Sequence, residues 1–352
     1  MIIVIFLLIF SVLVAVHELG HFWMAKKAGM EVQEFGFGIP PRLFGRKWKG
    51  TLWSINALPI GGFVRVNGAD TVKVDAEQKK DPLNYHSKSW WQKFRFIMAG
   101  VFMNFVLAAL LLAIGYSFGM QPVWGTSMFE KNIHTDGLLV SEILPESTAK
   151  ESLQKDDLIL KVNGEVVSDS EFFKKILSEN VNQSVSLEIS RSGTAQEVQV
   201  PVNAEGKLGI AFGLSQRLDT VKLPVWKAVG VGIYQVGEIS LATFKALGDM
   251  ILKQSIEGVA GPVGLVKITG EVAKQGVIPL LQFMAILSIS LGVLNMLPFP
   301  ALDGGRALFL IIEGIIRRPI SPKFEMVVHA IGFALLLLLM IVVTIGDIQK
   351  LF

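Results

Sequence analysis

The sequence predicts a polytopic α-helical membrane protein of four transmembrane helices, with a membrane-associated β-loop after the first and an α+β domain inserted between the second and third. Three observations carry that prediction. The 352 residues are 51% hydrophobic at a mean hydropathy of +0.51, and four apolar stretches are long enough to cross hydrocarbon: 1–25, 96–118, 279–305 and 326–345. Between the first two stand 13 Lys or Arg against six Asp or Glu, which puts that loop in the cytoplasm and the N-terminus outside. From Gln121 to Ile278 the chain is too long and too polar for a simple connection, and by this topology it is extracytoplasmic, as is the C-terminus. The net charge of +3 is unremarkable, no nucleic-acid partner is expected, and the absence of cysteine excludes disulfides and thiolate metal ligands.

The first span holds His17-Glu18-Leu19-Gly20-His21. Ionisable groups near mid-bilayer cost roughly 2.5–3.5 kcal/mol each on insertion scales, and by default they are functional. Residues four apart share a helix face. His17 and His21 can therefore offer two imidazoles to one metal while Glu18 lies close enough to act on a water there, as in zinc peptidases. A cleavable signal peptide would begin with a basic region, but no Lys or Arg precedes Lys26, so the segment is expected to remain as a span. The residues before His17 cover roughly 24 Å of a hydrocarbon core about 30 Å thick. The metal is expected within the membrane, toward the cytoplasmic face.

Two histidines leave a zinc site short of a third protein ligand, the fourth position being kept for water. Leu280–Ile316 is too long for one straight span and is broken by Pro298, Pro300, Gly304 and Gly305. Asp303 sits at that break, after a full membrane thickness of inward-running chain, and so at the depth of the histidines. An interfacial helix cap is the competing role for Asp303. Glu313 is the competing carboxylate, one or more turns further on and near Arg317, and His329 is expected to be a packed or interfacial histidine.

The run Asn295-Met296-Leu297-Pro298-Phe299-Pro300-Ala301-Leu302-Asp303-Gly304 resembles the N-x-x-P-x-P-x-L-D-G motif of the site-2 protease family, and residues 17–21 resemble its H-E-x-x-H. The two motifs, in this order and separated by a domain, resemble the bacterial branch typified by the regulator of sigma-E protease over nearly the whole chain. The resemblance implies one zinc ion per chain held by His17, His21 and Asp303, with Glu18 as catalytic base. It also implies cleavage of single-span substrates within their transmembrane segments in the bacterial inner membrane, such as pre-trimmed anti-sigma factors or signal peptide remnants. Asn295 keeps two roles at this stage, bracing the broken helix or hydrogen-bonding an unwound substrate backbone.

Residues 26–95 contain short β-rich runs punctuated by glycine and proline, among them Pro59-Ile60-Gly61-Gly62-Phe63-Val64. The family has a re-entrant β-loop here, proposed to engage the substrate as an added strand. Gly61, Gly62 and Phe63 are the substrate-binding candidates on that basis, because pairing with a sheet edge replaces the hydrogen bonds an unwound helix loses. A plain cytoplasmic β-subdomain is the alternative. Gly100 and Asn104 in the second span resemble the family's G-x-x-x-N pattern and are expected to support the metal helix.

Gly137-Leu138-Leu139-Val140, the Pro145-Glu146-Ser147-Thr148-Ala149 turn and Asp157–Gly164 resemble a PDZ domain at 127–216. The departure is at Ser152–Asp157, where many members have glycines. By analogy Gly137, Leu138, Leu139 and Val140 would line its peptide groove; steric exclusion of substrates is the alternative role. Residues 223–256 form an amphipathic pattern suited to an interfacial helix, and 258–264 a turn or helix break. A non-catalytic PDZ-bearing scaffold would need none of the His, Glu and Asp set, and a metal transporter would carry further polar residues along its spans.

Overall fold

The computed structural model describes residues 1–69, 80–123, 128–129, 133–253 and 260–349, and the chain divides into two units, 1–120 with 221–352, and 121–220. Helix α1 (Ile2–Lys27) is apolar until Lys26 and Lys27 in its last turn. After Gly29, at φ +68°, follow two long strands, β1 (Val32–Trp48) and β2 (Thr51–Val66). Lys49 and Gly50 join them at φ +48° and +80°, as a two-residue hairpin turn requires. Both strands fold back on themselves, so residues 34–37 of β1 pair on one side with 52–55 and on the other with 62–65 of β2. The result is a ribbon of four rows with 62–66 along one edge. Phe22 of α1 packs against Phe35 and Trp53 at ring distances of 5.6 and 5.2 Å, and Ser11 donates to the Pro59 carbonyl at 2.7 Å. These contacts hold the ribbon against α1.

Helix α2 (Trp90–Phe118) starts earlier than the apolar stretch at 96 because Ser89 and Gln92 form a capping box; two orphan N–H groups are satisfied and the helix extends through its amphipathic first turns. Gly20 lets α1 and α2 meet backbone to backbone, since a Cβ there would stand 2.3 Å from the Ala99 carbonyl oxygen.

The second unit is a sheet with strand order β7-β6-β4-β3-β8, made from β3 (Ile133–Ile143), β4 (Leu158–Val162), β6 (Ser184–Arg191), β7 (Thr194–Pro201) and β8 (Ile210–Leu218). The short β5 (Glu165–Val166) pairs with β4 across Asn163-Gly164, both at positive φ. Helix α3 (Ser170–Glu179), capped by Asp169, covers a core of Leu138, Val140, Ile159, Phe173, Leu187 and Val200, among others. Asp156 takes φ +71° where the PDZ pattern commonly has glycine, a conformation that Asp tolerates better than most residues.

The expected groove residues require correction. β3 lies inside the sheet: Leu138 pairs with Ile159 on one side and with Leu214 on the other, and Val140 donates to Asp157 while accepting from Asp156. The backbone of Gly137–Val140 is thus engaged on both flanks and cannot receive an added strand. The edge beside α3 belongs to β8, whose Phe212 ring meets Phe173 at 5.4 Å. Ser127, the first residue of the expected domain, lies outside the described residues.

Returning to the first unit, α4 (Val225–Lys253) packs on α2, with Tyr116 donating to Gln235 at 2.8 Å. Its outer face exposes Trp226, Ile233 and Leu241; the last expected residues, 254–256, are outside the description. Helix α5 (Pro262–Gln275) begins within the 258–264 segment, with 258–259 outside the description. There the Gly264 N–H donates to the Asp347 carboxylate at 2.7 Å. Helix α6 (Val277–Met296) lies against α2, where Ser288 donates to the Asn104 carbonyl. Pro298 and Pro300 then stop the helix, and a short segment leads to α7 (Asp303–Ile316) and α8 (Pro322–Gln349). Among the described residues, α1, α2, α6 and α8 are long and apolar enough to cross a membrane.

Candidate metal centre

Two histidines four apart on α1 present both Nε2 atoms to one point, 3.2 Å from each other. Asp303, the first residue of α7, brings Oδ2 to 3.0 Å from His17 Nε2 and 3.3 Å from His21 Nε2. What draws α7 there is a shared core of Ala25, Met30, Val32, Val66, Phe96, Ile97, Ala307 and Leu310, contributed by α1, the ribbon, α2 and α7. Asp303 caps nothing, since the N-cap position is Leu302 and no side-chain cap bond forms. Glu313 is elsewhere, accepting from the Ile320 N–H at 2.8 Å.

The protonation pattern can be read from the second partners. His21 Nδ1 lies 2.8 Å from the Phe96 carbonyl, which can only accept, so Nδ1 carries the hydrogen and Nε2 keeps its lone pair. His17 Nδ1 lies 3.1 Å from the Asn104 amide nitrogen, while Asn104 Oδ1 is buried without a partner among the described residues. Hydrogen bonding decides which amide atom faces the ring. Turning the oxygen toward His17 lets Nδ1–H donate to it, so His17 also presents a bare Nε2. Asp303 Oδ2 has no hydrogen-bond donor among the described residues, and with both ring hydrogens on Nδ1 its two imidazole neighbours offer it only lone pairs. Three converging lone pairs at 3.0–3.3 Å repel one another unless a cation lies between them. Tetrahedral zinc with bonds of about 2.1 Å separates its ligands by roughly 3.4 Å, and the donor set fits it.

Gly100 makes the approach of α2 possible: a Cβ there would stand 2.5 Å from His21 Nε2 and 2.7 Å from His17 Nε2. Asn104 therefore touches a metal-side histidine directly, a closer role than general support. Glu18 lies beside the ribbon's edge, hydrogen-bonded to the Val64 backbone, with its Cγ 3.8 Å from where a Gly62 Cβ would be. Gly61 faces Val14 of α1 in the same way. Asn295, in the last turn of α6, makes no side-chain hydrogen bond among the described residues. Sequence reading did not foresee the Phe96 carbonyl, which carries no side-chain signal, or the bond that His329 makes with the Ala301 backbone.

A two-histidine, one-carboxylate centre with an adjacent glutamate, set among apolar helices, defines a membrane metallopeptidase. The chain belongs to Peptidase family M50, the site-2 protease family, whose family model matches residues 5–339, and it is a zinc metalloprotease. It is 36% identical to a curated protein of Clostridium perfringens over 97% of each chain. It is 31% identical to the zinc metalloprotease RasP of Bacillus licheniformis, covering 99% of this chain and 98% of that one. The regulator of sigma-W protease RasP of Bacillus subtilis is 30% identical over 99% and 98%. A solved PDZ domain of an SdrC-like protein from Listeria monocytogenes matches 22% of this chain and 87% of its own, at 23% identity and a TM-score of 0.20.

Proposed function

We propose that this protein hydrolyses peptide bonds inside the transmembrane segments of single-span membrane proteins, using one zinc ion per chain held by His17, His21 and Asp303. The observation that carries the reading is the convergence of these three lone pairs, 3.0–3.3 Å apart, beside Glu18 and the ribbon edge. Zinc, when bound, supplies a Lewis acid that polarises the scissile carbonyl and makes water a stronger nucleophile. Glu18 takes a proton from the attacking water and delivers it to the leaving amine.

The substrate must unwind before it can be cut, and the edge row 62–66 is the natural template. An extended segment added there, along Gly61, Gly62 and Phe63, would run past Glu18 and recover its backbone hydrogen bonds. Asn295, with no side-chain hydrogen bond among the described residues, is free to bond that backbone. This supports the substrate-binding role over bracing.

The positive charge of the 26–95 loop supports a cytoplasmic position for the ribbon against the inner face of the bacterial inner membrane, with both termini and the 121–220 unit outside. Anti-sigma factors trimmed beforehand and signal peptide remnants are the substrate classes this arrangement suits. Glu18→Gln should keep zinc, because every ligand remains, and lose cleavage of a model transmembrane peptide, because an amide cannot accept the proton. Near wild-type cleavage by that variant would sink the reading.

A further inference from the structure

The segment that delivers Asp303 is tightly constrained. Between the last turn of α6 and the first of α7 the backbone reverses so closely that a Cβ on Gly304 would stand 2.1 Å from the Leu297 carbonyl oxygen and one on Gly305 2.3 Å from that of Phe299. Within it Ala301 adopts φ +77°, a left-handed conformation unfavourable for any residue with a Cβ. Such a conformation persists only where its surroundings enforce it.

The enforcement comes from α8. His329 Nδ1 lies 2.7 Å from the Ala301 nitrogen, and a backbone N–H can only donate, so Nδ1 is the acceptor and the ring hydrogen of the neutral form sits on Nε2. That atom has no hydrogen-bond partner among the described residues and faces the Glu325 carboxylate, one helical turn back, at 3.7 Å. One turn further along α8, Gly332 lets Pro300 pack directly on the helix, where a Cβ would come within 2.5 Å of the proline ring. The Phe309 ring flanks the imidazole at 5.5 Å. His329 thus grips the backbone two residues before the carboxylate that meets His17 and His21.

We propose that His329 is a positioning residue for Asp303: by accepting from the Ala301 N–H it fixes the left-handed turn that aims the carboxylate at the two histidines. It touches neither metal nor substrate, and its effect passes through the chain. The inference rests on the metal-centre reading above. Remote groups that orient a ligand are typically worth ten- to hundredfold in metal affinity, and that is the size of effect expected.

The test uses the full-length protein purified in detergent. Zinc affinity is measured by chelator competition and the ligand field by the visible absorption of the cobalt(II)-substituted form. His329→Leu removes the acceptor while keeping bulk; His329→Asn restores an acceptor the same number of bonds from Cα. The proposal expects the Leu variant to bind zinc ten- to hundredfold more weakly with an altered cobalt spectrum, and the Asn variant to recover both. Wild-type affinity and spectrum in the Leu variant would overturn it. Equal loss in both variants, with unfolding midpoints lowered alike, would also overturn it, since ring packing alone would then be the cause. Wild-type protein that binds neither metal would instead refute the metal centre itself, before either variant enters.

Discussion

At the scale of single residues, the centre depends on what lies behind the ligands. Asn104 fixes the His17 tautomer as the Phe96 carbonyl fixes that of His21. Asn104→Leu should therefore weaken zinc binding by about ten- to hundredfold, while Asn104→Asp, which still accepts from Nδ1–H, should retain it. Chelator competition distinguishes the two. Gly100→Ala places a methyl 2.5 Å from His21 Nε2, so zinc and activity should fall together. The carboxylate choice has its own check: Asp303→Ala should lose zinc and cleavage, whereas Glu313→Ala should keep zinc content near wild type, because Glu313 bonds the Ile320 N–H rather than the centre.

At the scale of elements, the ribbon and the inserted sheet separate two ideas about strand addition. In the ribbon, Gly62 sits at an edge row where a Cβ would stand 2.9 Å from the Gly36 carbonyl oxygen. Gly62→Val should push that row off β1 and lower kcat/KM for a transmembrane substrate at least tenfold, with zinc content unchanged; loss of zinc would mean the ribbon serves the metal instead. In the sheet, Arg191 makes two bonds to Asp157, at 2.8 and 2.7 Å, tying β6 to the start of β4. Burial raises the Asp157 pKa and is the largest single effect, but the Arg191 hydrogen bond, the Gln154 backbone N–H and the Arg191 charge together outweigh it and hold the group below the usual carboxylate value of 3.8. A depressed folded pKa contributes stability that is full above the unfolded value and disappears as pH falls through the folded one. The unit should accordingly weaken below about pH 4. Arg191→Ala, by stranding a buried carboxylate, should cost about 3 kcal/mol, read from hydrogen exchange of β4 and β6 in the full chain.

At the scale of the whole molecule, the inserted unit folds around its own core, and the proposed topology puts it outside while the metal lies toward the inside. We propose that a unit so placed acts on which substrates enter. Replacing residues 127–216 by a flexible linker should leave cleavage of a short substrate without an ectodomain intact. If the unit excludes bulk, a long substrate becomes newly cleavable; if the edge of β8 captures a trimmed terminus, trimmed substrate is cut more slowly and the long one stays resistant. Unchanged rates on both, in a variant that keeps zinc, would remove any filtering role.

The sequence by itself pointed to the three residues that the structure brings together, because H-E-x-x-H writes its geometry into five residues of local helix and the LDG break is written in prolines and glycines. It also determined the four apolar helices, whose length is a count of residues against a hydrocarbon thickness. Which strand of the inserted sheet forms an edge was not local information: Gly137–Val140 reads as a groove strand until β8, some seventy residues later, pairs along its open side. The same holds for Asn104, whose amide meets His17 across two helices, and for His329, whose acceptor role exists only because α8 returns to the turn before Asp303. Periodicity and motif report what a residue does within its own element. Pairing order and the partners of a buried polar group depend on chain distant in sequence, and only the tertiary structure decides them.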